Sequence, residues 1–397
     1  MTAVRGGWDS TAGEVGWDAD PEVAGWAGLP SLDGDLRADV CVVGLGGSGL
    51  AAVGEVLRRG LSVVGLDAGR VAAGAAGRNG GFLLGGPAIS VHRAEAGWGL
   101  DAALALYHRT LAESAELARL LGSEVVRQVG SLRLAGLPGE PADAAEEADR
   151  DSELADCDKQ YRTMLRHGIA VQRYDGELGR GLFLPDDAAM NPARRALGLA
   201  TLYSADARLF EHSPVTAISG GQVRTATGSV SAGLVVVAVD GRLELLLPEL
   251  AGRVRTARLQ MLTTEPVRAG RLPCPVYGRW GYDYAQQDAA GRLYVGGGRD
   301  QFAEQEWTHE ADPSAGVQAW IERVAARFAG GPVRVSHRWA ASVGYTPDAR
   351  PLVTQVRPGV VACGGYNGTG NLVGPVAAKA AVALGLDGTA PPACFAG

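Results

Sequence analysis

The residues Gly44-Leu45-Gly46-Gly47-Ser48-Gly49 form a Gly-x-Gly-x-x-Gly run. In such a run the first glycine permits a tight turn and the second lets a pyrophosphate reach the backbone. The third lets a helix pack closely on the strand before it, and phosphates then sit on that helix's N-terminal N–H groups. Asp67, followed by Ala68, comes 18 residues after Gly49 (67 − 49), where a carboxylate can accept from ribose hydroxyls. Directly after the acid comes Gly74-Ala75-Ala76-Gly77-Arg78-Asn79-Gly80-Gly81-Phe82. A nicotinamide enzyme continues at this point into further βαβ units. A polar, glycine-dense loop instead allows a large planar ring to lie on backbone, which points to FAD rather than NAD. A third cluster, Gly364-Gly365-Tyr366-Asn367-Gly368-Thr369-Gly370, precedes an Ala/Val-rich segment.

These residues need elements to hold them. Ala38–Val43 reads as a β-branched strand buried on both faces, 48–59 as a helix ended by Gly60, and 61–66 as a second buried strand. That is one βαβ unit, right-handed by rule. Buried-strand character returns at 234–238 and 359–363, and a helix follows to about Leu386. Between them, 255–300 alternates in the manner of an antiparallel sheet with one wet face, which puts Trp280, Tyr282 and Tyr284 on one side. Helices are predicted over 98–121 with Asp101 as N-cap, over 141–167 with a stripe of Leu154, Cys157, Tyr161 and Leu165, from Asn191-Pro192 to Tyr203, and over 314–329.

The predicted fold class is α/β, with α+β character in a second domain: a Rossmann-like FAD-binding domain and an inserted antiparallel-sheet substrate domain. The expected division is an N-terminal arm at 1–35, the FAD domain from 36–92, 191–250 and 340–389, and the substrate domain from 93–190 and 251–339. Within the arm, Gly-Trp recurs at 7–8, 16–17 and 25–26, so that Trp8, Trp17 and Trp26 are expected to pin it to the body.

Composition narrows the partners. The net charge is −7 without a long basic run, which argues against a nucleic-acid backbone as partner. No apolar stretch approaches the roughly 20 residues of a membrane-spanning helix. The five cysteines are scattered, odd in number and without CxxC spacing, so reduced thiols and a cytoplasmic setting are expected. The six histidines show no metal-ligand spacing, and no metal site is predicted. Glycine, at 58 of 397 residues, is about twice the usual share.

Taken in order, ADVCVVGLGGSG, LDAG followed by GAAGRNGG, MNP at 190–192, SPVTAI at 213–218, RLQMLTTEP at 258–266, GRLYVGGG at 291–298, YTPDARPLV at 345–353 and GGYNGTGN at 364–371 resemble one family. It is the FAD-dependent oxidoreductases of the D-amino-acid oxidase, glycine oxidase and sarcosine oxidase type, with the γ-glutamylputrescine oxidase branch most similar. The resemblance implies that Arg78, Asn79, Gly80 and Gly81 lie by the flavin ring and pyrophosphate. It implies that Val215 contacts adenine through its backbone, and that Gly344 and Asp348, around Thr346-Pro347, belong to the cofactor set. Gly368, Thr369, Gly370 and Asn371 would open the last helix and stabilise negative charge on reduced flavin. The implied reaction is oxidation of a C–N bond in a small amine or amino acid, with oxygen or an electron carrier taking the electrons.

The sequence also departs from that family. Sarcosine oxidases bind flavin through a cysteine five residues before the threonine of their TPD motif. Here that position is Ala341, and no histidine stands in the GRNGG loop where other relatives attach it, so non-covalent FAD is expected. A lysine that sarcosine oxidases place near flavin is replaced by Tyr294. An arginine that glycine oxidases place just before the TPD-like turn, to hold a substrate carboxylate, is absent from Val343-Gly344-Tyr345. A carboxylate would then be held by Arg279 or Arg299, or the substrate lacks one. Tyr282, Tyr284, Arg279 and Tyr366 are the candidate catalytic and wall residues. Cys363 reads as a small core residue.

Overall fold

A computed structural model describes residues 14–396. Five parallel strands form its first sheet, in the order Arg208–Phe210, Val63–Leu66, Gly34–Val43, Gly228–Val237 and Val360–Gly364. The hairpin Ala217–Ser219/Gln222–Arg224 pairs with the first half of Gly228–Val237, and Leu352–Arg357 runs antiparallel to Val360–Gly364. The last four residues of Gly34–Val43 are buried, and so are the last four of Gly228–Val237, as the β-branched runs predict. Helices Gly47–Arg58 and Gly370–Asp387 lie together on one face, sharing a core that includes Leu50, Val53, Val56, Ala377 and Ala381. The carboxyl ends of Val63–Leu66, Gly34–Val43, Gly228–Val237 and Val360–Gly364 lead into Asp67, the glycine run, Ala238–Arg242 and Gly365–Asn371. Open α/β sheets bind ligands at this edge.

A second sheet orders its eight strands as Val335–Tyr345, Arg255–Thr264, Leu293–Gly296, Asp283–Gln287, Val276–Gly278, Ser131–Leu134, Gly179–Leu184 and Gln172–Gly176. All neighbours are antiparallel except Val276–Gly278 with Ser131–Leu134. Helix Ala315–Ala329 covers it with Val317, Ile321, Val324 and Phe328. Strand Val335–Tyr345 runs through residue 340, so one strand carries chain from this sheet toward the first. Helix Leu100–Leu121 places Ala102, Leu106 and Leu117 in the core of the parallel-sheet helices.

Three local readings are corrected. The helix expected over 98–121 is two, Val91–Trp98 and Leu100–Leu121. They are separated by Gly99 at φ 88, and Asp101 lies in the first turn instead of capping it. The acidic helix Ala144–Arg166 buries only part of the expected stripe: Cys157 is buried and Tyr161 packs beside it, but Leu165 is 51% exposed, and Glu153, Asp156 and Gln160 are buried as well. The cause is a polar seam. Arg133 pairs with Asp156 at 2.7 Å, and Glu153 accepts from the N–H groups of Gly136 and Trp280. Trp280 is not on a strand with Tyr282 and Tyr284. Arg279, Trp280 and Gly281 all take positive φ in a single turn, and the strand begins only at Asp283.

In the arm, Trp17 is buried and Trp26 donates from Nε1 to Glu211 at 3.0 Å; Trp8 lies outside the described residues. Among the described residues no helix is long and apolar enough to cross a membrane.

Candidate active site

A cavity of about 270 Å³ opens where the parallel strands end. Strand Gly34–Val43 delivers Gly44 at φ 93, where an added Cβ would lie 2.9 Å from the Ala238 carbonyl oxygen. At Gly49 a Cβ would lie 1.6 Å from the Gly44 oxygen, so the helix reaches its strand only through glycine. Gly44, Gly46, Gly47 and Ser48 line the cavity with Asp67, Ala68 and Val215. Asp67 accepts from the N–H groups of Leu45 (2.8 Å) and Gly69 (3.0 Å), yet burial pushes its carboxyl up to about 6.

The glycine-dense loop forms another wall. Arg78 and Asn79 line the cavity, and Arg78 donates from Nη1 to the Ala340 carbonyl at 3.2 Å. Asn79 and Asn371 exchange side-chain amide hydrogen bonds at 3.1 and 2.9 Å, which ties this loop to the first turn of the last helix. Asn79 Oδ1 also accepts from Gly81 N–H at 2.7 Å. The antiparallel sheet holds the loop from outside: Trp339 Nε1 donates to the Arg78 carbonyl at 2.7 Å, and Gln286 Nε2 donates to that of Gly80. From the arm, Trp17 Nε1 donates to the Asn79 carbonyl at 2.9 Å while its ring stacks on Tyr294 at 3.4 Å between centroids.

Gly368, Gly370, Asn371 and Tyr366 complete the part of the wall expected from sequence. Gly49, Gly80, Gly81, Gly344 and Thr369 support that wall from behind, and Asp348 is exposed outside it. Gly344 N–H donates to Asp240 at 3.1 Å, and Thr369 is the N-cap of the last helix. Asp240, at φ 53, accepts also from Tyr366 N–H at 3.1 Å; burial pushes it up to about 6. Ala340, Ala341, Ser342 and Val343 bring the antiparallel sheet to the cavity.

Of the candidate catalytic residues, Tyr366 reaches the cavity, wedged beside Gly374 and close to Ser48. Tyr284 packs on Gly80 and edge-on to Phe82, and Tyr282 is 40% exposed. Arg279 is neutralised by Asp283 at 2.6 Å and by Asp300. Cys363 is fully buried and its thiol is pushed up to about 12 by desolvation.

Sequence reasoning missed Arg195. It sits on helix Pro192–Tyr203, capped by Asn191, and is only 1% exposed although it lines the cavity. Among the described residues its Nε and Nη2 have no hydrogen-bond partner, and Nη1 would lie 2.4 Å from a Cβ on Gly47. Burial pushes its guanidinium down to about 10. A bare cation and a helix N-terminus, itself partly positive, thus face one cavity.

The profile of a family described as "FAD dependent oxidoreductase" matches residues 39–384. The chain belongs to that family. It is 26% identical over 381 residues to γ-glutamylputrescine oxidoreductase of Escherichia coli (strain K12), covering 86% of this chain and 82% of that protein. It is 27% identical over 375 residues to a probable oxidoreductase, OrdL, of Rhizobium meliloti (strain 1021), covering 90% and 85%. Its fold is shared with glycine oxidase from Geobacillus kaustophilus at a TM-score of 0.70 and 21% identity, covering 89% and 96%.

FAD is the cofactor of this family, and the residues of this FAD-dependent oxidoreductase fit it. Arg195 donors without a partner among the described residues face the glycine run, where backbone leaves no space for a Cβ on Gly44 or Gly49. Asp67 stands at the strand tip for a ribose, and backbone amides open the last helix.

Proposed function

We propose that the chain oxidises a C–N bond of a small amine or amino acid, FAD accepting a hydride and passing the electrons to oxygen, while the imine product hydrolyses in water. The supporting observation is the strapping of the Arg78–Gly81 loop to the antiparallel sheet through Ala340, Trp339 and Gln286. It sets the sheet's wall against the loop assigned to the flavin. Arg195 and the amides of Gly46–Ser48 would hold the pyrophosphate, and Asp67 the adenosine ribose. Asn79 and Asn371 fix the loop on the last helix, whose N-terminal amides would favour negative charge. A neutral amine gives up hydride without a strong base, so the site's work is positioning and water exclusion. Ala341 in the wall and the inert Cys363 support non-covalent FAD. Five buried cysteines without disulfides fit a reducing, cytoplasmic setting.

One observation favours a carrier or quinone over oxygen as acceptor. Tyr294, where sarcosine oxidases place their lysine, is 2% exposed beneath Trp17. An anaerobic screen of amines and amino acids for flavin bleaching tests the reaction; no bleaching by any of them would leave an FAD-binding protein without amine turnover. Stopped-flow mixing of reduced enzyme with air tests the acceptor, since slow reoxidation rejects the oxidase.

A further inference from the structure

Asp240 follows strand Gly228–Val237 into the cavity wall at φ 53, in the left-handed region that favours glycine. Its carboxylate joins two other elements. One oxygen accepts from Tyr366 N–H and the other from Gly344 N–H, each at 3.1 Å. The N–H groups of Gly241 and Gly365 act on it as well. Glycine makes the space: a Cβ on Gly344 would lie 2.9 Å from Asp240 Oδ1, and one on Gly364 3.2 Å from its Cα.

What distinguishes this carboxylate is that only peptide groups answer its charge. Among the described residues no arginine, lysine or histidine pairs with it. Arg242, two residues on, donates to Ser342 Oγ at 3.1 Å and to the His309 carbonyl. Tyr345, Tyr366 and Cys363 face Asp240, and burial raises the proton affinity of all three, so they are neutral. Peptide dipoles stabilise an ion without cancelling its net charge, and that charge reaches the cavity.

The order of the parallel strands says which part of the cofactor meets it. Asp67 ends Val63–Leu66, the glycine run follows Gly34–Val43, Asp240 follows Gly228–Val237, and Gly365–Asn371 follows Val360–Gly364. A dinucleotide with its ribose on the first tip and its pyrophosphate on the second lays its flavin half along the third and fourth. There the N-terminus of helix Gly370–Asp387 favours added negative charge, and the Asp240 carboxylate opposes it.

We propose that Asp240 tunes the cofactor electrostatically: its carboxylate holds the two-electron reduction potential of bound FAD below the value that the helix terminus alone would give. Reduction adds two electrons and one proton to the flavin ring, which turns a neutral group into an anion. A fixed anion in the same wall disfavours that form and makes the reduced cofactor a stronger donor to its acceptor. Two unit charges roughly 10 Å apart in a protein shift such an equilibrium by on the order of tenfold. The inference stands on the cofactor and holds for any substrate.

The test compares FAD-loaded native protein with Asp240→Asn, which removes the charge, and Asp240→Gly, which removes it and suits the left-handed backbone. Each is reduced anaerobically with dithionite beside a reference dye at about pH 8, well above the value of about 6 to which burial pushes Asp240. Dithionite stands in for the substrate, so the outcome is independent of amine oxidation. Both variants favour reduced over oxidised FAD about tenfold more than the native chain does, a rise of about 30 mV for a two-electron couple. Asp240→Glu, which keeps the charge, stays within about twofold of native, about 9 mV. A merely structural role would instead lower Tm and weaken both forms of FAD equally, leaving the potential in place. A change under about twofold, or a fall, in either neutral variant that retains FAD overturns the proposal. So does Asp240→Glu moving with the neutral pair.

Discussion

Replacing Arg195 by Met should stabilise the empty protein while weakening its hold on FAD. The guanidinium is 1% exposed with Nε and Nη2 unpartnered among the described residues, and the acid whose charge acts on it, Glu113, is held by Lys379 at 2.5 Å. Burial lowers its proton affinity to about 10, well under arginine's ordinary range. At about 1.4 kcal/mol per tenfold change in proton affinity, keeping this charge buried costs the empty fold on the order of 3 kcal/mol. At neutral pH the group is charged in both the folded and the unfolded chain, so the whole of that cost is present. Methionine fills similar space without a charge, and Tm of the apoprotein should rise by a few degrees. A bound pyrophosphate relieves the same cost, so its loss should weaken FAD binding by roughly 100-fold at about 1.4 kcal/mol per decade. Riboflavin, which lacks the pyrophosphate, is the control. Titration of apoprotein with FAD and with riboflavin, followed by flavin fluorescence, reads both affinities. If Arg195→Met binds FAD as tightly as the native chain, or loses the two flavins equally, the assignment of Arg195 to the pyrophosphate is wrong.

Three other outcomes follow from the same geometry. Gly49→Ala puts a methyl 1.6 Å from the Gly44 oxygen, backbone that cannot swing aside; it should destabilise the chain by about 2 kcal/mol or more and abolish FAD retention, read by thermal melts and the flavin content of purified protein. With Asp67 pushed up to about 6, the dissociation constant for FAD should be flat above about pH 7 and rise about tenfold per pH unit below about pH 6, because binding to the carboxylate must expel a proton. Asp67→Asn should abolish that slope. In the empty protein the sign is reversed: a raised carboxyl adds stability as pH falls from about 6 towards 4, which apoprotein melts across that range would show. Trp17→Ala removes both the stack on Tyr294 and the hydrogen bond to the Asn79 carbonyl; it should cost about 3 kcal/mol and speed FAD release, and an unchanged release rate would separate the arm from the cofactor loop.

The parts of this molecule legible in the sequence are those whose requirements are local. Gly44 needs positive φ and Gly49 needs the absence of a Cβ, and both needs are written within a strand–turn–helix of neighbouring residues. The acid at the strand tip and the Asn79–Asn371 walls follow because each ends or begins an element whose periodicity is plain. Trp280 and Tyr282 fall off the strand that carries Tyr284 because alternation assumes unbroken extended backbone, and Arg279 and Trp280 adopt positive φ with nothing in their types to announce it. Arg195 carried one faint signal. It lies on the same helical face as Pro192, Ala196 and Leu199, all buried, and a charged residue on such a face must find a partner or await one. Its partner could not be deduced, because the glycine run it faces lies 146 residues earlier (195 − 49) and only the completed sheet brings them together. Local pattern thus identifies the cofactor. Choosing the substrate requires knowing which charges the fold has already spent on itself.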